Sequence, residues 1–130
     1  NVGDYESEYS DIPANVSIAS WYPQPSVIAQ VDAVIHHGGN NSFNECLYYG
    51  KPALIMPYVW DGHDNATRVK ETGHGLHLHR NEWNDQELAD CIMTLLNDQP
   101  MQARLVETSA HMRSRHGPTK AAGILNDLLD

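Results

Sequence analysis

Between Ile35 and Glu45 the chain reads IHHGGNNSFNE. Two histidines, two glycines and two asparagines leave a short apolar run, DAVI, and lead to a serine and a carboxylate. Such residues can bind a metal, surround a nucleophile, cradle an anion or simply make a tight turn. The metal reading has eight histidines to draw on. HHGG has no helical ligand spacing, however. His77 and His79 share a strand face near His74, with no Cys or carboxylate at a matching interval. A nucleophilic Ser42 lacks the G-x-S-x-G elbow.

The anion reading is better supplied. Gly38 and Gly39 permit φ > 0 and close backbone approach. A helix starting near Asn41 would aim its first free N–H groups, the positive end of its dipole, out of the strand edge. Asn41 and Ser42 add side-chain donors. Asn41 and Glu45, four apart, share a helical face. His37 can donate to a phosphate oxygen, whereas His36 faces the sheet and reads as structural. The local alternative is a turn with an Asn or Ser cap and Glu45 closing an S-x-x-E capping box.

Two further stretches carry candidates. In SWYPQPSV, Trp21 can stack on a planar base or fill the core, and Gln24 offers an amide to a ribose or base edge. In WDGHDNA, Asp61 stands at a strand exit, where it can accept from sugar hydroxyls or cap the helix that follows.

The elements that must position these residues alternate. NVSIAS (15–20) reads as a strand and PSVIAQ as a helical turn with Pro at its start. DAVIHH reads as a short buried strand, PALIMP as another short apolar strand and GLHLHR as a strand with alternation. NSFNECLYYG and DGHDNATRVKETG read as helices ended by Gly50 and Gly73. Asn84 with Glu87 marks the next helix start, Asp98 the one after, and PTKAAGILNDLLD makes the last. This order predicts an α/β domain with a parallel, Rossmann-like sheet. Both polar segments then fall at carboxyl ends of strands, where open α/β sheets bind ligands. NVGDY reads as the end of a strand, so the chain is expected to be one partial domain, 1–130, of a longer protein.

Composition narrows the function. The 130 residues carry a formal charge of −9, which disfavours non-specific nucleic-acid binding. No apolar run is long enough to cross a bilayer, and the acidic N-terminus is no signal peptide. Cys46 and Cys91 read as buried free thiols. Sequons occur at Asn15, Asn40 and Asn65, two of them in the motif region, where a glycan would obstruct a site. A cytoplasmic protein is therefore expected.

WYPQ, then DAVIHHGGNNSFNE, then GKPALIMPYVWDGHDNA, together resemble the nucleotide-sugar signature of the UDP-glycosyltransferases, from about Trp21 to Ala66. The resemblance implies the C-terminal, donor-binding half of an inverting GT-B glycosyltransferase that moves a hexose from a UDP- or dTDP-sugar to a small-molecule acceptor. It implies that Trp21 stacks on the base and the Tyr22 backbone reads its edge. Gln24 and Glu45 would hold the ribose. His37, Gly39, Asn41, Ser42 and the helix start would hold the diphosphate, and Asp61 the sugar. No metal or other cofactor is implied. The catalytic base is expected in an N-terminal domain, which also carries the acceptor site, and no nucleic acid or membrane partner is expected. A catalytically silent sugar-nucleotide module of the same fold is the alternative. Two departures stand out. Gly62 replaces the Gln that often follows the sugar-binding Asp, which leaves the donor sugar open. Asn40 stands where plant members carry Trp, and the chain ends without a membrane helix, so a soluble, bacterial-type relative is expected.

Overall fold

The computed structural model describes residues 2–128. Its sheet has three parallel strands in the order β1-β2-β3: Val34–His36 (β1), Ala53–Ile55 (β2) and Gly75–His77 (β3). Val34 stands opposite Ala53, and Ala53 opposite Gly75. All of β2 is buried, as a central parallel strand must be when both faces are covered. Leu54 and Ile55 are adjacent in that strand and so face opposite ways.

Six α-helices are described: Gln24–Ile28 (α1), Asn40–Tyr49 (α2), Asp61–Glu71 (α3), Asp85–Asn97 (α4), Gln99–Ser114 (α5) and Gly117–Asp127 (α6). Ile55 packs with Phe43 of α2 and with Ala66 and Val69 of α3. Leu54 packs with Leu95 of α4 and with Met101 and Leu105 of α5. A third cluster joins Ile28, Cys46 and Ala53, which seats α1 on α2. Complete burial of a Leu or Ile side chain stabilises by about 1.5–3 kcal/mol, so these two residues anchor the layers.

Local signals set the helix ends. Gly50 closes α2 in the left-handed conformation at φ 65°. Asn84 and Glu87 form the expected capping box. Glu87 N–H donates to Asn84 Oδ1 and Asn84 N–H to Glu87 Oε2, each at 3.0 Å. Asp98 Oδ1 accepts from Met101 N–H at 2.9 Å and starts α5.

Two expectations are corrected. Residues 15–20 form no strand. The described strands pair with one another, and Ala19 and Ser20 instead accept from the N–H groups of Val2 and Gly3. NVGDY is no strand end either, because Gly3–Glu8 is a 3-10 helix, while Asn1 lies outside the described residues. The last residues of the PTKAAGILNDLLD segment, 129 and 130, also lie outside them. Among the described residues no helix is long and apolar enough to cross a membrane.

Candidate functional site

Parallel pairing sends all three strands out of one edge, so the segments after β1, β2 and β3 meet there. The first is a turn at Gly38, which is buried with φ +91°. A Cβ at Gly38 would lie 2.8 Å from Gly62 Cα and from Ile55 Cγ2. One at Gly62 would lie 2.6 Å from the His37 carbonyl oxygen. The start of α3 therefore touches the β1–α2 turn backbone to backbone. Positive φ is used at Gly38 and not at Gly39, whose φ is −58°. What Gly39 leaves room for is the His37 ring, since a Cβ there would meet His37 Nε2 at 2.7 Å.

Gly39 is the N-cap of α2, and no side chain of its own caps the helix. The first helical bond runs from Phe43 N–H to Gly39 O at 3.0 Å. Asn40 N–H donates to Asp61 Oδ2 at 3.0 Å. The next two amides, of Asn41 and Ser42, have no partner among the described residues. The S-x-x-E capping box is not formed, because Ser42 is already the third helical residue. Its hydroxyl instead accepts from Gln24 Nε2 at 3.1 Å, and the same amide donates to Glu45 Oε2 at 2.7 Å. Gln24 and Glu45 are thus brought together although 21 residues apart. Asp61 caps neither its own helix nor a free loop. It caps α2.

These groups border a cleft of about 420 Å³, walled by Gln24 and His37, by the α2 start from Gly39 to Ser42, and by Asp61. Among the described residues no Lys or Arg lines it, so an anion there would be held by amides, a hydroxyl and imidazole. Past Gln24 and Ser42 a second cavity of about 260 Å³ runs between Tyr22 and β1. Across His37 lies a third, of about 590 Å³, bounded by Met56, Tyr58 and Arg80. The Arg80 guanidinium sits 3.9 Å above the Tyr58 ring.

Trp21 is 71% exposed, which removes the core alternative for it, and it lines none of these three cavities. Tyr22 is half-buried and its hydroxyl pairs with Ser17 Oγ at 2.6 Å. Among the described residues the Tyr22 backbone N–H and C=O stay unpaired, as base-edge reading would require.

Residues unmarked by the sequence reading also enter the site. Asn65, buried on α3, donates from Nδ2 to Gly38 O at 2.7 Å and to Asn40 Oδ1 at 2.9 Å. Its signal was its place one helical turn after Asp61, on the same face. Tyr58 and Arg80 follow β2 and β3, and their signal was the strand exit itself. His36 accepts from Gly38 N–H at Nδ1 (3.0 Å), and burial, with His37 alongside, pulls its pKa down to about 4. Cys46 and Cys91 are free thiols, Cys46 buried and Cys91 half-buried. Burial, and then the neighbouring Glu45 charge, pushes the Cys46 thiol up to about 12, which keeps it unreactive. Among the described residues no three His, Cys, Asp or Glu side chains converge to hold a metal. His79 lies instead 3.8 Å from Glu82.

The family model described as erythromycin biosynthesis protein CIII-like, C-terminal domain, matches residues 3–128. The chain is 31% identical over 112 residues to the NDP-glycosyltransferase YjiC of Bacillus subtilis, covering 86% of this chain and 29% of that protein. It superposes on the crystal structure of the glycotransferase of kitacinnamycin with a TM-score of 0.89 and 26% identity, covering 97% of this chain and 33% of the other. The glycosyltransferase VinC, solved in complex with dTDP, matches with a TM-score of 0.72 and 27% identity, over 80% of this chain and 26% of that one. The chain therefore spans about a third or less of the length of these proteins.

Proposed function

Because this chain belongs to the erythromycin biosynthesis protein CIII-like C-terminal domain family, a C-terminal domain of GT-B glycosyltransferases, we propose that it binds the nucleotide-sugar donor for an inverting glycosyl transfer. Residues 1–130 are then part of one donor-binding domain. The observation that carries the reading is the convergence of Gln24, His37, Ser42, Glu45, Asp61 and two free helix-start amides on one strand edge.

Each group has a task in this reading. The amides of Asn41 and Ser42, the Ser42 hydroxyl and His37 receive the diphosphate, with Gly39 leaving space for approach. Asn41 adds its side-chain amide. Gln24 and Glu45, already paired, exchange that bond for the two ribose hydroxyls, the Glu45 carboxylate accepting and the Gln24 amide donating or accepting. Trp21 covers the base and the Tyr22 backbone reads its edge. Asp61 Oδ2 is held by Asn40 N–H, which leaves Oδ1 to accept from the sugar. Position 62 cannot contribute a side chain without moving the His37 peptide, so sugar recognition here falls to Asp61.

Transfer of a hexose to a small-molecule acceptor builds negative charge on the leaving diphosphate. Amides already aimed at that position, at the positive end of α2, stabilise the charge without reorganising. The base that activates the acceptor is assigned to an N-terminal domain outside this chain. The donor is a UDP- or dTDP-sugar, and both are worth testing because VinC was solved with dTDP.

The test is calorimetric titration of the chain with UDP and with dTDP. Base stacking contributes about 1–3 kcal/mol, so Trp21→Ala should weaken binding about 5- to 150-fold while leaving the melting temperature unchanged. His37→Ala should weaken binding of both nucleotides. Equal binding by wild type and variants, or none by a folded sample, refutes the site.

A further inference from the structure

Taking the cleft as the diphosphate site, and so resting on the donor-binding reading above, we propose that His36 and Asn65 are positioning residues: they clamp Gly38 from two sides and thereby aim the free amides of Asn41 and Ser42. Gly38 is the weakest link of the cradle. A glycine at φ +91° has many other conformations open to it, and nothing in its own side chain selects this one. Both of its polar backbone groups are gripped from outside. Its N–H donates to His36 Nδ1 at 3.0 Å, and its C=O accepts from Asn65 Nδ2 at 2.7 Å. The same Asn65 amide reaches Asn40 Oδ1 at 2.9 Å, so one buried side chain on α3 holds both the turn and the first residue of α2. The next two residues carry the free amides. Their direction is set by the turn that precedes them.

His36 gives a second, independent sign of this role. Because Nδ1 accepts, the proton of the neutral ring stands on Nε2. That atom is buried and has no partner among the described residues. An orphaned buried donor destabilises the fold, and an apolar side chain would remove it. What histidine provides here that leucine cannot is the Nδ1 acceptor for Gly38. The site thus keeps a local cost in order to hold the turn.

The experiment measures hydrogen exchange at the Gly38 amide by NMR and UDP affinity by calorimetry, on wild type, His36→Asn, His36→Leu and Asn65→Ala. Asparagine can accept from the N–H two residues on, as in an Asx turn. His36→Asn should therefore keep Gly38 protection and wild-type UDP affinity. His36→Leu and Asn65→Ala should lose protection and bind UDP about tenfold or more weakly, the scale expected for a misplaced recognition group. The clamp is overturned if the Leu variant keeps wild-type protection and affinity, or if the Asn variant loses as much as Leu. Wild-type affinity in Asn65→Ala removes Asn65 from it. Should His36→Leu not fold, His36→Gln, whose acceptor lies one bond farther out, is judged by the same two readouts. If wild type binds no UDP, the donor-site reading fails, and exchange at Gly38 still decides whether the clamp exists.

Discussion

The turn at Gly38 and the last helix, α6, are held by opposite means. Around Gly38, strand β1, helix α2 and helix α3 meet within a few ångströms, and their polar groups bond to partners up to 27 residues away. Helix α6 buries no side chain at all. Its Ile124 and Leu125 stand 54% and 63% exposed, and Leu128, its C-cap, 77%. Glycines tell the same story. No added Cβ fits at Gly38 or Gly62, whereas one at Gly117 or Gly123 would meet nothing within 4 Å. Glycine is thus a packing requirement in the first region and merely a residue choice in the second. The contrast teaches that cross-element polar bonding, rather than helix content, marks where this chain is built to a tolerance.

The largest expected effect attacks the crowded region. Gly38→Ala forces a side chain into the left-handed region and against Gly62 and Ile55. Left-handed strain costs about 1–2 kcal/mol and overpacking about 1–3, so urea denaturation should register a loss of about 2–5 kcal/mol. Nucleotide binding should vanish with it. A loss under about 0.5 kcal/mol, the range of ordinary surface substitutions, would erase the distinction between the two regions.

How far this site was legible in the sequence follows from the same contrast. Features that depend on a few neighbouring residues were readable: the Asn84–Glu87 capping box, the left-handed Gly50, the Asp98 cap, and the α/β order of strands and helices. So was the company of Gln24, His37, Ser42 and Asp61 at one cleft. Features that depend on which distant atom arrives were not. Asp61 reads in the sequence as a cap for its own helix, whereas its Oδ2 caps α2 across 21 residues. Ser42 was a candidate cap, but the helix begins two residues earlier. Residues 15–20 have the composition of a strand, yet a strand also needs a hydrogen-bonded neighbour, and no strand pairs with them here. Composition specifies willingness to pair, not the partner.

A change of pH should also separate the regions. Burial lowers the pKa of His36 to about 4, and it lowers those of His74 and His77 as well, with Arg104 adding at His74 and Lys70 at His77. Between the ordinary histidine value near 6.5 and these lowered values, the unfolded chain binds more protons than the folded one. Stability is therefore fully present above about pH 6.5 and falls as the pH drops toward 4. For His36 protonation also removes the Nδ1 acceptor that Gly38 uses. Urea midpoints at pH 7.5 and pH 5 should differ less in His36→Asn than in wild type. An unchanged pH dependence in that variant would mean that His36 does not sense its burial.

The smallest effect belongs to α6. Gly123 lies inside this helix with open space around it, so Gly123→Ala should favour the helix by up to about 1 kcal/mol locally. Because α6 buries no side chain, that local gain has no route into the packing of Leu54, Leu95 and Leu105. The expected result is a rise in helical circular dichroism with no shift in the urea midpoint read by tyrosine fluorescence, to which Tyr49, packed against the Ile28–Cys46–Ala53 cluster, contributes. A midpoint that moves together with the helicity would show that α6 folds in one step with the sheet. It would place the helix among the cooperative elements despite its exposed face, and the comparison with the Gly38 turn would then be one of degree and not of kind.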